Sequence, residues 1–143
     1  MRAMEISRSG LDVEWQRLQV IAANLANLNT TRVAGGEPFR PMRLLSATAG
    51  DFAQLISSGS NSTAQLQGVR VTGTTSAGGG VRKVREPGHP HADAEGFVTY
   101  PDLDHASEMA LLIKTSRIYE ANLTAMNIAH QMYAKALELG RQS

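Results

Sequence analysis

The segment from Asp102 to Gly140 constrains the fold most, because its apolar pattern is one that only a long helix can use. Mostly apolar side chains recur along it at alternating steps of three and four residues, the a/d heptad pattern of a helix that packs on another helix. The positions of this first seam are Met109, Leu112, Ser116, Tyr119, Leu123, Met126, His130, Tyr133 and Leu137. A second seam, spaced by sevens, runs through Leu111, Ile118, Ala125, Met132 and Leu139. Two seams on one helix predict two helical neighbours.

The ends of this segment carry helix signals. Pro101 precedes it, and Asp102 or Asp104 is suited to cap the first turn, with Glu108 close to the positive end of the helix dipole. Gly140 is the residue type that often follows the last helical turn, so we expect the helix to stop there. A helix of about 35 residues is roughly 50 Å long, which is long for one small domain.

The N-terminal part of the chain repeats this design. The segment from Met4 to Leu28 places apolar side chains along one helical face and adds a second apolar line spaced by sevens. The face consists of Leu11, Trp15, Leu18, Ile21, Ala22, Leu25 and Leu28, and the line of Ile6, Val13 and Val20. We expect this helix to end between Asn27 and Asn29 and to pair with the later helix in antiparallel orientation.

The middle of the chain predicts loops and short strands. Residues 32–43 contain two prolines and a Gly-Gly pair, which indicate a connector, and we expect a short helix over 51–56 and a polar loop over 57–64. Three short apolar runs between residues 66 and 100, separated by Gly/Pro turns, predict a small antiparallel β element. The predicted fold is mainly α, with a terminal helical domain (1–31 and 102–143) and a loop-rich middle domain (32–101) containing short antiparallel strands.

Composition excludes several classes of protein. A formal charge of +1 with only 19% charged residues does not provide the basic face of a nucleic-acid binder. The absence of cysteine excludes a disulfide framework, thiolate catalysis and a Cys-based zinc site. No apolar run approaches the length of about 18 residues that a membrane-spanning helix requires. Charged residues interrupt any hydrophobic core of a signal peptide near the N-terminus, so the usual rules indicate a cytoplasmic chain.

The residues that could carry chemistry favour structural interpretations. His89, His91, Asp93 and Glu95 are all residue types that bind zinc, but Pro90 and the flanking glycines indicate a shaped turn. The glycine run 78–80 lacks the Lys that a phosphate-binding loop requires, and no serine has the context of a catalytic nucleophile. We therefore predict no enzyme, no metal and no cofactor, with a metal-dependent hydrolase using His89, His91 and Glu95 as the most distant hypothesis.

Several stretches taken together resemble a known family. Ser9-Gly10-Leu11, Arg17-Leu18, Val20-Ile21-Ala22 and the run Asn24 to Thr30 are similar to the N-terminal signature of bacterial flagellar rod and hook proteins. Pro87-Gly88-His89-Pro90, Phe97-Val98, Ser116-Arg117 and Tyr119-Glu120-Ala121-Asn122 resemble the proximal rod proteins in particular. The resemblance covers residues 4–43 and 66–141, and the chain departs from the pattern at 44–65 and 74–80.

The resemblance implies a structural subunit of the flagellar rod whose terminal helices pack into a helical tube. Its implied partners are other rod proteins, the adapter between the rod and the membrane ring, further copies of the same chain and the flagellar export apparatus. Its implied location is the periplasmic part of the basal body, reached without a cleaved signal peptide, and neither nucleic acid nor membrane insertion is implied.

The two seams and this resemblance together identify candidate subunit-interface residues. They are Leu11, Trp15, Leu18, Ile21, Leu25, Asn27, Met109, Leu112, Tyr119, Asn122, Leu123, Met126, Tyr133 and Leu137. The alternative from the residue pattern alone is a non-flagellar helical adapter that binds partner helices in the cytoplasm.

Overall fold

A computed structural model describes residues 2–50 and 68–141. Two long helices, α1 (Arg2–Ala26) and α2 (His105–Arg141), lie at the two ends of the chain. Between them are β1 (Met42–Thr48), β2 (Val69–Ser76), β3 (Val81–Arg85) and β4 (Phe97–Pro101). The predicted short helix over 51–56 and the predicted loop over 57–64 lie outside the described residues.

The two helices pack against each other in antiparallel orientation. Gly10 lies against Asn122, Trp15 against Tyr119 and Asn24 against Glu108, so positions along α2 fall as positions along α1 rise. The predicted fold, mainly α with paired terminal helices and a small β portion, is confirmed.

The helices differ in length. With 37 residues, α2 is about 55 Å long, whereas the 25 residues of α1 span about 37 Å. By the register of the pair, residues 131–141 of α2 have no counterpart in α1, and every one of them is exposed.

The strands form two separate two-stranded antiparallel sheets among the described residues, rather than one element of three strands as expected. In the first sheet β1 pairs with β2, with an irregularity between Leu45 and Ser46, and in the second β3 pairs with β4. The prediction did not include β1, and β2 extends through the threonine-rich residues 74–76. These residues have no polar/apolar alternation of their own and pair with Met42–Leu44, so this part of the strand depends on its partner.

The first sheet is attached to α1 by hydrogen bonds of two polar side chains of the helix, Arg17 and Ser9. Arg17 Nη2 donates to Ser46 Oγ over 2.9 Å, which connects α1 to β1. Ser9 Oγ donates to the Ile6 carbonyl oxygen at 2.7 Å and accepts from the Val69 amide at 3.1 Å, which connects α1 to the start of β2. Thus the sheet rests on the helix through contacts near residues 9 and 17.

Gly68 is required where β2 meets α1. Its φ of 76° lies in the left-handed region, and a Cβ at this position would come within 2.2 Å of Ser9 Oγ. We therefore expect Gly68→Ala to destabilise the protein by about 1–3 kcal/mol, because strain and contact act together. Gly80→Ala, where a Cβ meets nothing within 4 Å, is the matched control. Equal urea midpoints for the two variants would contradict this expectation.

The helix ends partly match the predictions. As expected, α1 ends just before Asn27, and Asp104 rather than Asp102 caps α2, accepting from the amides of Ala106 (3.3 Å) and Ser107 (3.0 Å). The prediction that α2 stops at Gly140 is wrong, because the helix continues through it to Arg141. Gly140 has no positive φ, and the helix-forming residues before it carry the helical backbone onward.

The cap of α2 depends on pH. Hydrogen bonds from the Ser107 hydroxyl and backbone amide hold the pKa of the Asp104 carboxyl below its ordinary value of 3.8. A carboxyl with a lowered folded-state pKa stabilises the folded state above its unfolded pKa, and this contribution is lost as the pH falls through the lowered value. We expect the Ser107 amide resonance to titrate below pH 3.8 and to stop titrating in Asp104→Asn. A midpoint at or above 3.8 would contradict this assignment.

Candidate subunit interface

The contact between the helices buries an unusual share of polar side chains. Among the described residues the buried polar or charged side chains are Glu14, Asn24, Glu108 and Thr115, and the buried hydrophobic ones are Leu11, Val13, Ile21 and Val98. All four of the polar side chains belong to α1 or α2. Burying polar groups is unfavourable unless they are hydrogen-bonded, so their partners decide how the helices meet.

A buried network joins α1, β1 and α2. The Asn24 amide donates to the Met42 carbonyl oxygen (2.9 Å) and accepts from the Met42 amide (3.0 Å), so it pairs with β1 as a neighbouring strand would. Asn24 Nδ2 also lies 3.3 Å from Glu108 Oε2. Arg43 Nη1 donates to that oxygen over 3.1 Å, and Arg43 Nη2 forms an ion pair with Glu108 Oε1. Each element is thereby held to the other two.

This network was not predicted from the sequence. The sequence places Glu108 near the positive end of the α2 dipole and, with Met109, in the family resemblance, and it places Asn24 in the family signature. The available signal was the position of Asn24, three residues after Ile21 and four before Leu28, on the apolar face of α1. A polar residue on such a face requires a buried partner, but the pattern does not name that partner.

The stripe of α2 that faces α1 lies between the two predicted seams. Glu108 and Thr115 are buried, and Asn122, seven residues further on, is half-buried against Gly10. A Cβ at Gly10 would lie 2.9 Å from Asn122 Nδ2, so the glycine permits the close approach. On the α2 side the contact therefore runs through polar side chains, and the large apolar side chains of both α2 seams lie beside it.

The candidate interface residues range from exposed to buried in the structure. Trp15, Met109, Leu123, Tyr133 and Leu137 are exposed; Leu18, Leu25, Asn27, Leu112, Tyr119, Asn122 and Met126 are half-buried; Leu11 and Ile21 are buried. The last two pack inside the chain itself. The exposed members are the ones that a neighbouring subunit can reach, and their role in an interface stays a prediction.

An aromatic pair connects exposed Trp15 of α1 with half-buried Tyr119 of α2. The ring of Trp15 lies 6.4 Å from that of Tyr119 at an angle of 49°, and 55% of Trp15 is exposed. Leu123 follows Tyr119 by one turn of α2 and is 39% exposed. Trp and Tyr are enriched in protein interfaces, so this open flank of the pair, with Trp15, Tyr119 and Leu123, has the composition of a contact surface.

Apolar exposure continues along the rest of α2. Outside the first seam, the exposed large apolar side chains of α2 are Ile113, Ile128, Met132 and Leu139. Met132 and Leu139 belong to the second predicted seam and lie in the last turns, which have no counterpart in α1. Exposed large apolar side chains are typical of interaction surfaces when they form a patch.

Asn27 has a local role. Its Nδ2 donates to the Ala23 carbonyl oxygen (2.9 Å), and its Oδ1 accepts from the Thr30 hydroxyl (3.0 Å). These bonds close the last turn of α1 and direct the chain into the connector.

The turn that contains His89 and His91, called here the histidine-rich turn, is held by hydrogen bonds to other groups of the chain. His91 Nδ1 lies 2.7 Å from Thr31 Oγ1, His89 Nδ1 accepts from the His91 amide, and Asp93 Oδ1 accepts from the amides of Glu95 and Phe97. Within residues 2–50 and 68–141, no group of three or more His, Cys, Asp or Glu side chains is arranged to hold a metal ion. Neither described helix is apolar enough over a sufficient length to cross a membrane.

Comparison with known proteins gives consistent matches at both ends of the chain. Residues 4–32 match the family model described as flagella basal body rod protein, and residues 94–139 match the C-terminal model of the flagellar basal body rod FlgEFG proteins.

Relatives align over nearly the whole chain. The flagellar basal-body rod protein FlgC of Bacillus subtilis strain 168 is 36% identical, with 97% of each chain covered. The proteins of the same name from Escherichia coli O6:H1 and Yersinia enterocolitica are 33% and 32% identical, with 99% of this chain and 98% of theirs covered.

Proposed function

We propose, on the premise that this chain belongs to the FlgC family of flagellar basal-body rod proteins, that it is a structural subunit of the rod and polymerises through α1 and α2. In this role it is needed for assembly of the flagellum and for motility. The two helices form the part that assembles, and residues 32–101 are the middle domain outside it, attached to the helices through β1 and β2.

One observation carries the proposal: the two helices bury four polar side chains and leave many of their large apolar side chains exposed. Glu108 is fully buried, whereas Leu139 is 70% exposed, Met132 68% and Trp15 55%. An isolated chain would bury its large apolar side chains first, since each is worth about 1.5–3 kcal/mol. A subunit keeps them outside because its neighbours bury them on assembly. The exposed members Trp15, Met109, Leu123, Tyr133 and Leu137 are accordingly the interface.

The partners follow from this role. We propose that the flanks bind further copies of the chain, other rod proteins and the adapter between rod and membrane ring. The location is the periplasmic part of the basal body, reached through the flagellar export apparatus without cleavage of a signal peptide. The role is architectural rather than enzymatic, and the histidine-rich turn shapes a loop.

A fractionation experiment tests the role and the route together. The full-length chain carrying an epitope tag is expressed in its flagellated host and in a matched strain that lacks only the export apparatus. We expect uncleaved protein in purified basal bodies of the first strain and only cytoplasmic protein in the second. A cytoplasmic helical adapter would remain in the cytoplasm of both strains, and that result would reject the proposal.

Hydrogen exchange tests the physical argument. Residues 131–141 have no intramolecular neighbour in α1, so we expect their amides to exchange rapidly in the purified monomer and to become protected in isolated basal bodies. Equal exchange in the two states would show that the end of α2 is not an assembly surface. Residues 108–115, which face α1, serve as the internal reference.

A further inference from the structure

A cavity of about 240 Å³ opens on the flank of the helix pair that carries β1. Its apolar walls come from Val20 and Ile21 of α1, Leu44 of β1, and Leu111 and Ile118 of α2. A cavity of about 150 Å³ already holds a benzene ring, so this one has room for a large aromatic side chain. The lining is that of a socket for one apolar group.

Cations surround this socket. Arg17, Arg43 and Lys114 line it, and no acidic side chain does among the residues that the structure describes. Glu14 and Glu108 pair with the two arginines from outside the lining, whereas exposed Lys114 forms no ion pair within the described part of the chain. The socket thus favours an apolar side chain accompanied by a carboxylate, and an aromatic one gains from the nearby cations.

The same chain presents such a group on its other flank. Trp15 is 55% exposed, and Asp12, one helical turn earlier, is exposed and without an ion pair in the described residues. At 3.6 residues per turn, Trp15 projects about 140° from Val20 and about 160° from Arg17, so it cannot enter the socket of its own chain.

We infer that Trp15 of one copy inserts into the socket of a second copy, with Asp12 placed against Lys114. This inference rests on the proposed function, because it names one contact between copies in the rod. Trp is the residue most enriched among dominant interface contacts, and such residues fill desolvated pockets in the partner. Trp15 and the socket lie on different flanks of the helix pair, so the contact is head-to-tail. Every pair of copies therefore leaves one Trp15 and one socket free.

Cysteine cross-linking tests the contact directly, because the natural chain contains no cysteine. Basal bodies are prepared from cells that express Asp12→Cys/Lys114→Cys and are treated with a short bismaleimide. We expect a ladder of dimers, trimers and longer products. A mixture of the two single variants should give dimers only, and an Asn127→Cys/Lys114→Cys control should give no product.

Charge exchange and truncation supply the second readout. Trp15→Ala should reduce incorporation into basal bodies at least tenfold, while Gln16→Ala on the same turn should not change it. Asp12→Lys and Lys114→Asp should each reduce incorporation several-fold, and the double variant should recover it to within about threefold of wild type. Far-UV circular dichroism verifies that the helices remain formed.

The outcomes separate this inference from the proposed function. Normal incorporation with no ladder and no effect of Trp15→Ala overturns the inference and leaves the rod role intact. Loss of incorporation in Trp15→Ala without any ladder shows that another protein takes Trp15, which also overturns it. Absence of the wild-type chain from basal bodies rejects the proposed function itself.

Discussion

Leu123→Asp is expected to leave the chain folded and to abolish its assembly into the rod. Leu123 is 39% exposed in the helix pair, so the isolated chain can hold a carboxylate there in water. In an assembled interface the same carboxylate loses its water, and the contact also loses a leucine whose truncation costs about 2–5 kcal/mol in a packed site. Each 1.4 kcal/mol weakens association tenfold, and every copy carries the defect. We expect no variant chain in basal bodies and no motility.

Two matched substitutions control this result. Asn127→Asp adds the same carboxylate one turn further along α2 at an exposed polar position, and it should assemble normally. Leu123→Met preserves an apolar side chain and should also assemble. A motile strain carrying only Leu123→Asp would show that this position faces solvent in the rod.

Arg43→Ala is expected to cause the largest loss of folding stability among single substitutions in the buried network. Glu108 is fully buried, and removal of Arg43 leaves its charge with Asn24 as its remaining side-chain partner. Breaking a buried pair in this way costs about 3–5 kcal/mol. Glu108→Ala should cost less, because the Arg43 side chain is 32% exposed and can turn towards water.

Urea unfolding followed by circular dichroism measures this asymmetry. The double variant Arg43→Ala/Glu108→Ala should be more stable than Arg43→Ala alone, since no buried charge is then left unpaired. Arg40→Ala is the control, because Arg40 pairs with Glu37 on the surface with both side chains more than half exposed, and it should change stability by less than about 1 kcal/mol. A loss in Arg43→Ala no greater than in Arg40→Ala would show that the network does not hold the elements together.

The sequence alone was sufficient to predict the two helices and to identify the family. Heptad spacing over residues 102–140 predicts a helix whatever its neighbours, because the spacing of apolar side chains and the helical period are both local properties. The end of α1 near Asn27 and a cap at Asp102 or Asp104 are local in the same sense, since each depends on hydrogen bonds within a few residues, and the structure selects Asp104. The family signatures are also contained in short runs of the chain.

Only the tertiary structure decided which stripe of α2 faces α1. Heptad spacing identifies apolar stripes, but adjacent stripes differ by a rotation of the helix that the pattern does not determine. The choice depends on how closely the backbones approach at Gly10 and on whether polar groups far apart in sequence satisfy each other. Asn24 and Glu108 are separated by 84 residues, and Arg43 and Glu108 by 65. No local pattern contains those pairings. Because Glu108 and Thr115 occupy the stripe of α2 that faces α1, many of the large apolar side chains of α2 lie on its exposed surface.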